Sequence, residues 1–293
     1  MIDGRYPNKP SEAAGRGYGR RSVTALVWLL LALAPSRAAW AHADLLAMIE
    51  SVSKRIATEP RNANLYFLRG ELYRAHADWK PAEADYTRAA ELDPRMAEVD
   101  LARGKLLFES GRTPEAKAKL DEYLAGHPNN VDALITRAQL LARAGRRKAA
   151  AADYTRALDL SKTPRPDYFL ERARLLAAEG ETTAALRGLD EGINRLGNLV
   201  ALQLYAIDLE CAEEHFDGAL SRLETISSAS ERQEKWLTRR GEILRLAKRD
   251  QEANDAFKKV LAAIELLPPR LRAAPATLEL ETHARQQLLK DSP

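Results

Sequence analysis

Cys211 and His215 are the two residues whose types and spacing come closest to a chemical site. They lie four positions apart, among the acidic residues Glu210, Glu213 and Glu214. A thiolate and an imidazole at this spacing can share one face of a helix and bind zinc, but a zinc site takes three or four ligands. Because no further ligand stands out nearby, two interpretations stay open. One is a metal- or solute-binding site, and the other is a small apolar thiol beside a histidine in a turn.

The rest of the sequence contains no pattern of catalytic or cofactor-binding residues. His76, His127 and His283 are scattered among different segments. A phosphate-binding loop needs a glycine-rich run such as GxxxxGK[ST] or GxGxxG, and neither run occurs. Cys211 is the only cysteine, so no disulfide can form within the chain. The leading hypothesis therefore has no catalytic residue, no metal ion and no cofactor.

The charge of the chain argues against a nucleic-acid partner. The formal net charge of +3 comes from the first 43 residues, which hold six basic and two acidic side chains. Without them, 39 basic and 40 acidic residues remain. A protein that binds DNA or RNA needs a basic surface to neutralise phosphates. We therefore expect no binding to nucleic acid.

Residues 19–44 have the composition of a secretory signal peptide. A basic pair is followed by an apolar run, residues 23–34, and then by small residues at Ala39, Ala41 and Ala43. The run is shorter than the roughly 20 residues that a membrane helix needs. We expect cleavage before Asp44 and an exported, periplasmic or secreted protein without a membrane span after cleavage. The alternative is that the leader stays attached as an anchor.

Small residues recur along the chain with a period of 34 or 35. The clearest series is alanine, at Ala82, Ala116, Ala150, Ala185, Ala219 and Ala253. Counting Ala82 as repeat position 20 places six further small or apolar residues at position 8, namely Gly70, Gly104, Ala138, Ala173, Ile207 and Gly241. Position 24 is large, as Tyr86 and Phe257 illustrate. Two antiparallel helices can approach closely when small residues meet at the crossing, and large residues fill the space beside them. The period therefore predicts repeated helical hairpins, with position 15 in the turn.

The segment "YFLRGELYRAHADWKPAEADYTRAAELDP", residues 66–94, resembles a tetratricopeptide repeat most closely. That family has a 34-residue unit with this pattern of small, aromatic and proline positions. The resemblance implies an all-α fold, a right-handed α-solenoid of about six helical hairpins with a capping helix at each end.

The repeat register divides the chain into four parts. Residues 1–43 are the signal peptide, residues 44–62 an N-terminal capping helix, residues 63–267 the repeat array, and residues 268–293 a linker with a C-terminal capping helix. The six repeats span about 63–96, 97–130, 131–165, 166–199, 200–233 and 234–267.

The resemblance also implies a binding groove, because the first helices of such repeats line the concave face. Positions 2, 5, 9, 12 and 13 then give the peptide-groove candidates Asn64, Phe67, Glu71, Arg74, Leu101, Lys105, Phe108, Ile135, Gln139, Arg143, Leu170 and Arg174. Position 5 forms an apolar stripe of Phe67, Leu101, Ile135 and Leu170. We expect Phe67 and Phe108 to be exposed anchors. The alternative is that the stripe packs between neighbouring first helices and never reaches a ligand.

The sequence thus favours an exported, non-enzymatic scaffold that binds a peptide or helical segment of a partner protein in this groove. Two other functions stay open. One is a metal- or solute-binding envelope protein that uses Cys211 and His215. The other is a structural spacer that contacts its partners through the convex face.

Overall fold

The computed structural model describes residues 37–228 and 230–289, with side chains from residue 44 onward. Residues 1–36 of the expected signal peptide lie outside the described residues. Those that are described form helices and their connections, without a strand. The expectation of an all-α solenoid built from helical hairpins is therefore confirmed. The chain divides into two compact units, the first ending at Asp93 and the second beginning at Pro94.

The first unit contains three helices, α1 (Arg37–Thr58), α2 (Ala63–Ala75) and α3 (Trp79–Leu92). Helix α2 begins after Asn62, whose side chain accepts a hydrogen bond from the backbone N–H of Asn64 at 3.1 Å. Val52 and Ile56 of α1 pack against Leu65 of α2. This contact buries the apolar face of α1 and closes one side of the α2–α3 hairpin.

The second unit contains five hairpins and two further helices. The hairpins pair α4 (Ala97–Glu109) with α5 (Thr113–Gly126), α6 (Val131–Arg143) with α7 (Arg147–Leu160), α8 (Pro166–Ala178) with α9 (Thr182–Leu196), α10 (Val200–Ala212) with α11 (Phe216–Ser227), and α12 (Glu234–Leu246) with α13 (Asp250–Glu265). The chain continues through a single turn, α14 (Pro269–Arg272), into α15 (Pro275–Leu289). In each hairpin we call the earlier helix the first helix and the later one the second helix.

Small residues meet large ones where the two helices of a hairpin cross. All six alanines of the 34-residue period are fully buried. A Cβ atom on Gly104 would lie 2.9 Å from Leu120, and one on Gly241 would lie 2.7 Å from Phe257. Real Cβ atoms do not approach other atoms so closely. Positions 8 and 24 therefore set the distance between the paired helices, as the sequence pattern predicts.

The turn inside every hairpin has a residue in the left-handed conformation at position 15. Gly111, Gly145 and Gly180 have φ of 82°, 71° and 77°. Ala77, Glu214 and Lys248 adopt the same conformation with φ of 64°, 59° and 58°. Non-glycine residues reach this region only with strain from their Cβ atoms. The turn geometry is therefore the same whether or not the sequence supplies glycine.

Helix α15 packs on the last hairpin and closes the end of the second unit. Ala284 is fully buried there, and Leu280 and Leu288 pack in the same apolar cluster as Phe257. In the part of the chain that the structure describes, no helix is both long and apolar enough to cross a membrane.

Candidate functional site

The apolar stripe of the expected groove is largely packed inside the second unit. Leu101 and Ile135 are 8% and 6% exposed and belong to the core between the second and third repeats. Leu170 is half-buried against the core of the fourth repeat. These side chains fill the space between neighbouring first helices. They leave little apolar surface for a ligand.

Phe108 is not an exposed anchor, and that expectation is wrong. Its side chain is only 6% exposed and packs in the same core as Leu101 and Ile135. The guanidinium carbon of Arg143, on the next first helix, lies 4.4 Å from the centre of the Phe108 ring. The following repeat therefore covers the ring, and the exposed group at this point is a cation resting on an aromatic face.

Polar side chains connect successive first helices above this core. Lys105 Nζ on α4 lies 2.7 Å from Asp132 Oδ2 on α6. Arg174 on α8 lies 2.7 Å from Glu171 and 5.9 Å from the centre of the Tyr205 ring on α10. Gln139, Arg143 and Arg174 are exposed. We name the surface that carries Lys105, Gln139, Arg143, Arg174 and Asp208 the first-helix face.

Two of the four candidates in the first unit, Glu71 and Arg74, are bonded to each other. Glu71 accepts a hydrogen bond from the Tyr86 hydroxyl at 2.5 Å. Arg74 Nη2 donates a second hydrogen bond to Glu71, at 2.8 Å from Oε2. Burial, and then the hydrogen bond to Glu71, raise the pKa of Tyr86 far above its usual value, so the hydroxyl stays protonated. Phe67 is half-buried, with its ring 6.1 Å from that of Tyr86. Asn64 is exposed.

Cys211 and His215 do not belong to a larger cluster of ligands. Cys211 is half-buried against the core of the last repeats, and burial raises the pKa of its thiol, which disfavours the thiolate that binds metals. His215 immediately precedes α11 and donates its backbone N–H to the carbonyl of Glu210 at 2.8 Å. Within residues 37–228 and 230–289, no group of three or more His, Cys, Asp or Glu side chains is placed to hold a metal ion.

Comparison with known protein families identifies the repeat. A family model described as tetratricopeptide repeat matches residues 67–131 and 135–194. The chain is a tetratricopeptide repeat protein. No curated protein matches its sequence.

Solved structures agree with this fold. The C-terminal part of a TPR repeat-containing protein from Cytophaga hutchinsonii aligns with a TM-score of 0.59 at 14% identity, over 81% of this chain and 94% of that one. PilW, described as a widely conserved type IV pilus biogenesis factor, aligns with a TM-score of 0.51 at 22% identity, over 64% of this chain and 89% of that one. This tetratricopeptide repeat protein therefore shares their fold. Its family match supports a scaffold for protein–protein interaction.

The groove candidates predicted from the sequence end at the fourth repeat, but polar side chains continue along the first helices of the fifth and sixth repeats. Asp208 on α10 lies 2.5 Å from Arg239 on α12, and Glu242 on α12 lies 3.3 Å from His283 on α15. Asp208 and Glu242 occupy position 9, the position of Lys105 and Arg174. Continuing the register into the fifth and sixth repeats of this tetratricopeptide repeat protein is the signal that finds them.

The sequence analysis also does not predict a second set of polar contacts, between arginine at position 7 and aspartate at position 23. Arg137, at position 7 on α6, donates two hydrogen bonds of 2.7 and 2.8 Å to Asp153 on α7 and a third of 2.8 Å to Asp121 on α5. Arg69, at the same position in the first unit, forms the same two-bond contact with Asp85. In both cases the arginine and the aspartate are sixteen residues apart. That spacing, repeated with the period, is the sequence signal.

Proposed function

We propose that this protein is an exported, non-enzymatic scaffold that binds a peptide segment of a partner protein on its first-helix face. The observation that supports the proposal is the exposure of Arg143 and Arg174 and their contact with aromatic rings. Both are exposed, and each lies on an aromatic ring supplied by a neighbouring first helix, at 4.4 Å from Phe108 and 5.9 Å from Tyr205. A ring beneath a guanidinium reduces its freedom before binding. Arg174 donates one N–H to Glu171, which leaves its other N–H groups for a ligand.

The recognition that this face offers is polar. The apolar residues of position 5 are occupied by packing, so a ligand meets Lys105, Gln139, Arg143 and Arg174 first. Arginine and glutamine donate hydrogen bonds to carbonyl and carboxylate oxygens, which every extended peptide presents along its backbone. A partner segment with exposed main chain and some acidic side chains suits these donors.

The experiment substitutes exposed residues only, because replacing Phe108 would open the core. The full chain carrying Gln139→Ala, Arg143→Ala and Arg174→Ala is used as bait beside the unsubstituted chain, and partners captured from the cell envelope are identified by mass spectrometry. We expect the triple variant to lose a partner that the unsubstituted chain retains. Arg187→Ala is the matched control, since Arg187 is an exposed arginine on the second helix α9.

An unchanged set of partners, with the helical circular dichroism signal intact, would count against the first-helix face. It would favour the structural spacer, which contacts partners through its second helices. Elemental analysis of the purified protein tests the metal-binding alternative, which requires a stoichiometric metal and its loss in Cys211→Ser.

The export part of the proposal rests on the sequence of residues 19–44. Val52 and Ile56, the buried residues of α1 that pack against Leu65 of α2, both follow the expected cleavage site. Cleavage before Asp44 therefore keeps this contact. N-terminal sequencing of the protein recovered from the envelope should find Asp44 or His42 first, and an intact Met1 in the membrane fraction would contradict cleavage.

A further inference from the structure

The arginine at repeat position 7 has a carboxylate partner in three of the repeats. Arg69 is held by Asp85 with two bonds of 2.7 Å, and Arg137 by Asp153 with bonds of 2.7 and 2.8 Å. Asp85 and Asp153 both occupy position 23 and are almost fully buried. In the fourth repeat, Arg172 instead donates to Glu191, at position 26, at 2.7 Å. A forked contact between a guanidinium and a carboxylate is among the strongest polar contacts in proteins.

The sixth repeat keeps the arginine and lacks both carboxylates. Position 7 is Arg240, whereas position 23 is Ala256 and position 26 is Lys259. The nearest acidic group to Arg240 is Glu224, whose Oε2 lies 3.6 Å from Nη1, beyond hydrogen-bond distance. Within the residues that the structure describes, no carboxylate is hydrogen-bonded to Arg240. Arg240 therefore forms only a loose ion pair with Glu224, and the N–H groups that are hydrogen-bonded in the other repeats have no carboxylate acceptor here.

A cleft of about 450 Å³ opens at this point, between α11, α12 and α13. Arg240, Ala256 and Lys259 line it, together with the apolar side chains of Trp236, Leu237 and Leu244. None of the residues of the first-helix face lines it. Its size is that of a site for a small ligand or for a few residues of a peptide.

The charges around the cleft favour one kind of ligand. Two of the three acidic residues in its lining have a cation outside the lining, since Glu252 is bonded to Arg249 at 2.7 Å and Asp255 lies 3.7 Å from Lys258. The third, Glu224, lies 3.6 Å from Arg240 itself. Lys259 has no such partner among the described residues. Trp236 adds a buried indole N–H without an acceptor in the described part of the chain. Arg240, Lys259 and Trp236 thus keep N–H donors that no carboxylate of the described residues accepts, while the acidic residues of the lining disfavour a multiply charged anion such as phosphate.

We propose that this cleft binds a carboxylate from another molecule, in the place that Asp85 and Asp153 fill in their own repeats. The ligand class is an acidic side chain in a peptide segment, flanked by basic residues that face Glu224, Glu252 and Asp255. The cleft is separate from the first-helix face. It can therefore bind whether or not that face does.

Isothermal titration calorimetry on the full chain tests the proposal with three probes. These are an end-blocked peptide of sequence KLDLK, its counterpart KLNLK in which asparagine replaces aspartate, and sodium propionate. We expect KLDLK to bind at least about tenfold more tightly than KLNLK. Binding of propionate as well assigns recognition to the carboxylate alone, and binding of KLDLK without propionate assigns it to the carboxylate within a peptide. Equal binding of the two peptides, or no binding of any probe at about 10 mM, would overturn the proposal.

Substitutions of cleft residues test whether KLDLK binds in this cleft. Ala256→Asp supplies the missing carboxylate from within the chain, and we expect it to abolish binding of KLDLK. Arg240→Met should weaken binding at least about tenfold, whereas Arg187→Ala, an exposed arginine on α9 outside the cleft, should leave it unchanged. Circular dichroism melting shows whether each variant is folded. Arg240→Met tests the proposal even if Ala256→Asp fails to fold, and undiminished binding by folded Arg240→Met would refute it.

Discussion

Gly241 on α12 lies so close to Phe257 on α13 that a Cβ atom at residue 241 would sit 2.7 Å from Cζ of the ring. Phe257 is fully buried and cannot move aside without disturbing the core of the last repeats. Gly241→Ala should therefore lower the free energy of unfolding by about 1–3 kcal/mol, the usual cost of overpacking a core. Urea denaturation followed by circular dichroism measures the change.

The control for this substitution is Gly126→Ala. Gly126 is the last residue of α5, and no atom lies within 4 Å of the position that a Cβ atom would take there. Alanine at residue 126 should leave stability nearly unchanged. Equal destabilisation by the two substitutions would mean that the loss at residue 241 comes from the backbone rather than from Phe257.

Lys248 should be replaceable by glycine with a gain in stability. Its φ of 58° lies in the left-handed region, where a Cβ atom costs roughly 1–2 kcal/mol. Part of that gain is offset by the greater freedom of glycine in the unfolded chain, so we expect Lys248→Gly to stabilise by about 0.5–1 kcal/mol. The reverse change in the same kind of turn, Gly145→Ala, should destabilise by about 1 kcal/mol. The midpoints of thermal unfolding of the two variants should move in opposite directions.

Removing Arg137 should leave Asp153 without its cation, whereas Asp121 keeps its contact with Lys117. Arg137→Met is expected to lower the free energy of unfolding by about 1.5–3 kcal/mol, because Asp153 is nearly buried and loses both charge-assisted hydrogen bonds. Substituting Asp153 by leucine in the same chain should recover part of this loss, since no unpaired charge then remains at residue 153. Lys119→Ala breaks only an exposed pair with Glu122 and serves as the control with little change. Additive effects of the two substitutions in the double variant would contradict the direct contact.

Because the hydroxyl of Tyr154 is buried, we expect the protein to lose stability at high pH. Burial, followed by the nearby charge of Glu171, raises the pKa of Tyr154 to about 12. The folded state therefore holds the proton more tightly than the unfolded state, whose pKa is near 10. The contribution to stability is complete below about pH 10 and is lost as the pH rises toward about 12. Unfolding by urea at a series of alkaline pH values should show a smaller decline for Tyr154→Phe than for the unsubstituted chain.

The sequence predicts the helix-only repeat because the period depends on local geometry. Ala116 and Gly104 are required wherever two helices cross closely, so their recurrence indicates the crossing without knowledge of the rest of the chain. The same holds for the turn at Gly145, where the left-handed conformation favours glycine, although Ala77, Glu214 and Lys248 adopt it too. Such positions have the same neighbours in every repeat.

The surface is less predictable, because it depends on what the neighbouring repeat contributes. Phe108 has the type expected of a binding anchor, but a cation from the next repeat covers its ring. The family pattern places Phe108 on the groove and cannot show that Arg143 reaches back over it. The contact of Arg137 with Asp121 has the same origin, since Asp121 belongs to the preceding repeat.

The contact between Arg137 and Asp153 lies within a single repeat, although Arg137 also reaches the repeat before it. A gene duplication that copies this segment as a whole would copy the arginine together with its counter-ion. The array could therefore lengthen by copying without leaving the buried charge of the aspartate unpaired.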